Sequence, residues 1–303
     1  MKILLPLDGS PPSIIARDLV AGLPWADGTV VHLLVAYQLP IDWAGGMGST
    51  TDWVDVEDST RHTLEEELRT LGAPLTERGL AVELHVQRGR PATVITEAAH
   101  ELGADLIVTG SRGRGQLRSM LLGSVAAEVA AHAPCPVLVA RDANVHRLLV
   151  ATDGSSHARL IPEWLERWGI FRGIPADVVA VSIPDGPAFE LMVSLYTLGD
   201  ERLANQRREL KAKSGADADE MARRLTDVGV PATPHLHTGD VSAEILAAAQ
   251  DRGADLIVTG SRGLDTIERL LLGSVARNVL MHAGCSVLIV RTGADADPSR
   301  REN

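Results

Sequence analysis

Gly103 to Gly113 reads GADLIVTGSRG, and Gly253 to Gly263 reads GADLIVTGSRG again. An identical run of that length, at a spacing of 260 − 110 = 150 residues, marks a tandem duplication of one fold. The match continues downstream: LLGSVA at Leu121 to Ala126 recurs at Leu271 to Ala276, and His132-Ala133-Pro134-Cys135 recurs as His282-Ala283-Gly284-Cys285. Upstream, Asp8-Gly9-Ser10 answers Asp153-Gly154-Ser155 at an offset of 153 − 8 = 145, so a few residues were inserted or lost between. A repeat of this size is a whole domain, since about 100 to 200 residues enclose a core. The expectation is two domains, residues 1–142 and 146–293, joined by a short hinge near Asp142 to Val145 and followed by a polar tail over 294–303.

Apolar strand-like runs in the first copy fall at Ile3 to Leu7, Val30 to Ala36, Ala81 to Val86, Leu106 to Thr109 and Val137 to Ala140. The second copy repeats the order at Leu148 to Ala151, Val178 to Ile183, Ala232 to His237, Leu256 to Thr259 and Val287 to Val290. Between them lie stretches of helical period, such as Leu64, Leu68, Leu71 and Leu75, and Val94, Ile95, Ala98 and Leu102 ending at Gly103. Continuous apolar strands alternating with helices predict two α/β domains, each a five-stranded parallel sheet covered by helices on both faces.

A formal net charge of −11 and the lack of a dense basic run argue against a nucleic-acid partner. Arg207-Arg208 and Lys211 to Lys213 read as a solvated helix face. No apolar run approaches the roughly 20 residues that span a bilayer, and the N-terminus lacks a signal-peptide pattern, so the expected location is the cytoplasm. Cys135 and Cys285 occupy equivalent positions and read as small buried hydrophobes; no cysteine-rich metal cage is visible, and neither a metal ligand nor a catalytic residue is assigned. His132 and His282, late in helical stretches, read as packing or capping residues, and His237 as a strand histidine near a ligand or structural.

In an open parallel sheet, ligands sit outside the carboxyl ends of the strands where the strand order reverses. Asp8 and Asp153 follow the first strands; Gly110-Ser111-Arg112-Gly113 and Gly260-Ser261-Arg262-Gly263 follow the fourth. After each glycine loop come nine residues and then Gly123-Ser124 or Gly273-Ser274, which open helices. Glycines allow backbone N–H groups close to an anion, and a helix N-terminus favours phosphate. The alternative is that the glycines make turns and the serines cap helices. Neither loop has the lysine of a Walker loop, and the first strands are not followed by a dinucleotide-binding glycine pattern. Asp8 as a phosphoacceptor lacks a second aspartate and a lysine in support, whereas Asp8 as a helix cap is compatible with contact to a nucleoside.

With these motifs the chain resembles the universal stress proteins in their tandem-domain form, along nearly its whole length. The carriers are the two Asp-Gly-Ser turns, the two Gly-x-x-Gly, nine residues, Gly-Ser patterns, and the closing strands Pro136 to Ala140 and Ser286 to Val290. The resemblance implies an adenine-nucleotide alpha-hydrolase-like, Rossmann-like fold and an ATP-binding subfamily, with Mg²⁺ bridging the phosphates. Carried over by motif, Asp8 and Asp153 would contact the nucleoside, and the backbone near Ala36 and Val181 the adenine. Gly110, Arg112, Gly113, Gly123 and Ser124, with Gly260, Arg262, Gly263, Gly273 and Ser274, would surround the phosphates. The family's last strands pair domain against domain, which here would join Val137 to Ala140 with Val287 to Val290 inside one chain; a homodimer is then permitted but not required.

The two sites differ in charge: Arg114 and Arg118 follow the first loop, Asp265 and Glu268 the second, so the first is expected to bind ATP more tightly, unless Arg262 and Arg269 compensate. Trp43 to Trp53 reads as an irregular flap or interface piece after strand two, with a different counterpart in Pro184 to Gly199. The expected function is a stress-response regulator in which nucleotide occupancy alters conformation or partner binding, the protein partner being unnamed; a nucleotide-free scaffold and a slow ATPase are the other classes.

Overall fold

The computed structural model describes residues 1–38, 50–113, 122–182, 201–262 and 272–291. These fall into two compact units, one comprising residues 1–144 with 284–291, the other residues 145–262 with 272–283.

The first unit contains β1 (Lys2–Pro6), α1 (Pro11–Gly22), β2 (Val30–Tyr37), α2 (Thr50–Glu77), β3 (Ala81–Arg88), α3 (Pro91–Leu102), β4 (Leu106–Gly110), α4 (Ser124–His132) and β5 (Val137–Ala140). Its strands run β3-β2-β1-β4-β5, all parallel. The order reverses between β1 and β4, registered as Ile3 on Leu106 and Leu4 on Ile107. Ile3, Leu4, Leu5, Leu106, Ile107 and Val108 are wholly buried. Burial of each such side chain stabilises the fold by about 1.5–3 kcal/mol. Adjacent strand residues point to opposite faces. Leu33 meets Gly72 of α2, while Leu34 shares a cavity with Ile95 of α3, so helices cover both faces. The apolar stripe of α3 begins with Pro91 in the first turn and stops at Gly103, whose φ of 60° is the left-handed helix-ending conformation.

The second unit contains β6 (Leu148–Thr152), the short α5 (Ser156–Arg159), α6 (Ile161–Trp168), β7 (Ala176–Ser182), α7 (Glu201–Asp227), β8 (Ala232–Thr238), α8 (Val241–Asp251), β9 (Leu256–Gly260) and α9 (Ser274–His282). Its parallel order, β9-β6-β7-β8, repeats β4-β1-β2-β3. The last strand of the second copy, β10 (Ser286–Val290), lies in the first unit, antiparallel to β5 with Leu288 opposite Leu138. Pairing there satisfies backbone groups that an edge strand would leave open. Each of the ten strand readings thus falls on an observed strand, to within a residue or two at the ends. Thr50 to Trp53, read as part of an irregular insertion, belong to α2. Trp43 to Ser49, Pro184 to Gly199 and residues 293–303 lie outside the described residues, as do Arg114, Arg118, Gly263, Asp265, Glu268 and Arg269.

Candidate functional site

The loop after β1 turns through Gly9 at φ 73°, a conformation glycine adopts without steric cost. Ser10 caps α1: its hydroxyl accepts from the Ser13 N–H at 3.4 Å and faces Asp8 Oδ1 at 2.5 Å. Asp8 Oδ1 also accepts from the Ser10 N–H at 3.0 Å. Asp8 therefore braces the capping residue and is not itself the cap. The second copy repeats the device, with Gly154 at φ 70°, Ser155 N–H donating to Asp153 Oδ1 at 2.9 Å, and Ser155 capping α5.

Gly110 ends β4 against the first turn of α1. A Cβ there would stand 2.5 Å from the carbonyl carbon and oxygen of Pro12 and 2.7 Å from Ser13 N. The glycine thus lets strand and helix pack closely at this point. Gly113 faces the Asp8 carboxylate, where a Cβ would lie 2.8 Å from Oδ2. The Gly123 N–H is spent on the Ser111 carbonyl at 2.7 Å, so it pins the loop to α4 and offers no donor to a ligand. The next three residues, Ser124, Val125 and Ala126, form the first turn of a helix whose N-cap supplies no side-chain hydrogen bond.

These elements enclose a cavity of about 260 Å³. Asp8, Ala36, Gly110, Arg112, Gly113, Gly123 and Ser124, every site residue expected in the first copy, line it. Leu34, Pro91 and Ile95 complete an apolar wall. No motif pointed to α3 as a contributor, because its contacts are apolar and its packing is tertiary. Arg112 brings a guanidinium whose Nε is buried without a hydrogen-bond partner among the described residues. The arrangement combines an apolar wall, one carboxylate, and N–H donors beside a cation. This is suited chemically to a ligand with a flat apolar part, hydroxyls and an anionic end.

The second copy is different. Its described cavity, about 700 Å³, lies between the starts of α8 and α9 and includes Asp240, Ser274, Arg277 and Asn278. Of the expected second-copy residues only Ser274 lines it; Asp153, Val181, Gly260, Arg262 and Gly273 do not. Although it is the larger space, it lacks the strand-end residues that the smaller one brings together. In the first copy Arg90 and Glu128, at the positions of Asp240 and Asn278, bridge the two helices at 2.7 Å. Over the second strand-one loop, the Asp217 carboxylate presses on Gly154, with its carboxyl atoms 2.4–2.6 Å from where a Cβ would stand.

The other single residues resolve simply. His132 and His282 hold the Glu128 and Asn278 carbonyls of the preceding helical turn at 2.9 Å. His237 pairs with Glu244 at 3.0 Å. Cys135 is buried and burial pushes its thiol up to about 12, which makes it an inert apolar residue. Lys211 and Lys213 are exposed on α7.

A doubly wound parallel sheet with a cavity at its strand ends is an open α/β architecture, which takes ligands at that edge. The Universal stress protein family pattern matches residues 1–141 and again 144–291, and the chain belongs to that family in tandem form. A universal stress protein of Mycolicibacterium smegmatis is 28% identical over 283 residues, covering 89% of each chain. One from Thermus aquaticus is 36% identical over 141 residues, 46% of this chain and 97% of its own. The crystal structure of a universal stress protein from Archaeoglobus fulgidus has the same fold, with a TM-score of 0.63 at 21% identity, covering 96% of this chain and 98% of that one. Among the described residues no helix is long and apolar enough to cross a membrane.

Proposed function

We propose that this protein is an ATP-responsive regulator whose first copy carries the principal nucleotide site, and that occupancy alters conformation or the binding of a protein partner. The observation that carries the reading is the convergence of Asp8, Ala36, Arg112, Gly113 and Ser124, from four separate segments, on one cavity. In this reading the adenine lies against Leu34, Ala36 and Ile95, and Asp8 accepts from the ribose hydroxyls. The anionic end meets Arg112 and the first-turn N–H groups of α4. Asp8 is the sole carboxylate among the described lining residues, and Mg²⁺ suits such a site because it takes most of its ligands from phosphates and water.

The test is to denature freshly purified chain, identify released small molecules by mass spectrometry, and titrate emptied protein with ATP and Mg²⁺. Adenine nucleotide near one per chain, or binding that Gly113→Ala weakens about tenfold through displacement of Asp8, is the expected result. Empty protein that also ignores added ATP would leave the loops as turn formers and favour a nucleotide-free scaffold.

A further inference from the structure

On the edge pair of the first sheet, β2 and β3 bring three ligating side chains together. His32 and Glu83 are direct partners in the strand register, and His85 lies two residues further along β3 on the same face. His32 Nδ1 is 3.0 Å from His85 Nε2 and 3.2 Å from Glu83 Oε2. The three ligand atoms all lie within 4.8 Å of one another. Two donors bound to one tetrahedral Zn²⁺, with metal–ligand bonds of about 2.0–2.2 Å, stand about 3.3 Å apart, so the two separations from His32 Nδ1 are within a few tenths of an ångström of that needed.

Hydrogen bonding inside the trio does not balance. A proton on His32 Nδ1 can serve Glu83 or His85, and then leaves the buried Nε2 as an acceptor with no partner among the described residues. With the proton on Nε2, the Nδ1 lone pair faces a carboxylate oxygen. The second copy resolves the same position with cations of its own. Strand registers place Asp177 where His32 stands (177 − 145 = 32) and His235 where His85 stands (235 − 150 = 85). Arg147 Nε donates to Asp177 at 2.9 Å, Arg252 at 3.0 Å, and His235 lies at 2.9 Å. In the first copy Leu102 replaces Arg252, and Lys2, in place of Arg147, turns its ammonium to the Leu102 carbonyl at 2.9 Å. No guanidinium enters the His32 trio from those two positions.

We propose that His32, Glu83 and His85 bind a divalent transition-metal ion of the Zn²⁺ type, clipping the edge strand β3 to β2. Two imidazoles with one carboxylate favour this class over Mg²⁺ or Ca²⁺, and Glu83, 60% exposed, leaves room for a water as the fourth ligand.

The experiment titrates metal-free full-length chain with Zn²⁺ alone by calorimetry, and with Co²⁺ by visible absorption. One ion per chain with Kd below about 10 μM, a tetrahedral Co²⁺ spectrum and a raised melting temperature are expected. His32→Ala should abolish the site. Because His32→Ala removes a core side chain, the exposed Glu83→Gln is the companion variant, expected to fold normally and to bind at least about tenfold more weakly. His132→Ala should change nothing. A Kd above about 10 μM, or an affinity that Glu83→Gln leaves unchanged, would overturn the site.

Discussion

The strand-one loops of the two copies share Asp-Gly-Ser, the same left-handed glycine and the same serine cap, but the long helix of each copy treats them differently. In the second copy Asp217 of α7 rests on Gly154 with its side chain only 17% exposed. The matching position in α2, at 217 − 150 = 67, is Glu67, which is exposed. One loop is thus overlain by a second carboxylate, and the other opens into a cavity with Arg112. Duplicated motifs preserve a backbone, while the electrostatics of each copy are set by residues from elsewhere that the motif does not contain.

The largest test concerns packing at the end of the fourth strand. Gly110→Ala places a Cβ 2.5 Å from Pro12 backbone, whereas Gly260→Ala places one 3.0 Å from Ala158 N and 3.1 Å from His157. Overpacking costs about 1–3 kcal/mol, so the first variant should fall at the top of that range and the second at the bottom. Denaturant melts of both variants measure it; equal losses would break the contrast in how tightly the two copies close.

Next in size is the buried Asp177. Burial alone would raise its pKa, but hydrogen bonds from Arg147 and His235 and the charges of Arg147 and Arg252 outweigh this and hold it below 3.8. Its stabilising contribution is therefore complete above pH 3.8 and is lost as pH falls through the lower folded value. Asp177→Asn should cost about 1.5 kcal/mol or more at neutral pH, and the gap from wild type should close in acid. A gap independent of pH would show that shape, not charge, matters at the position that His32 fills in the first copy.

The smallest effect bears on the sites directly. In a Gly113→Ala background, where the first copy is weakened, Asp217→Asn should raise ATP affinity by about fivefold, the worth of about 1 kcal/mol for charges 4 Å apart in water. The gain should shrink with salt. Calorimetry that finds no gain would mean that Asp217 is not what separates the two copies.

Much of this site was legible because the duplication flagged it. Asp8, Arg112, Gly113 and Ser124 stood out by recurring at fixed spacing, and the crossing connections of a parallel sheet carry such strand ends to one edge. Leu34, Pro91 and Ile95 did not stand out, because apolar wall residues look like any other core. Gly110 was visible as a feature of both copies, but its close packing against α1 was not, because a glycine beside a ligand and one beside a helix are the same letter. The same holds for His32 and His85, 53 residues apart and unremarkable until β2 and β3 pair.

By itself the sequence determined two copies of one α/β order and where each strand lies, since buried parallel strands must be continuously apolar and their length and period are local properties. The pairing of β10 with β5 agrees with what the resemblance implied. Only the tertiary structure decided that the first strand-one loop borders a cavity while Asp217 covers the second, and that His32, Glu83 and His85 meet. Those outcomes depend on close contacts between residues far apart in the chain, such as 3.0 Å between His32 and His85, and distances of that kind are set by packing, which no local spacing encodes.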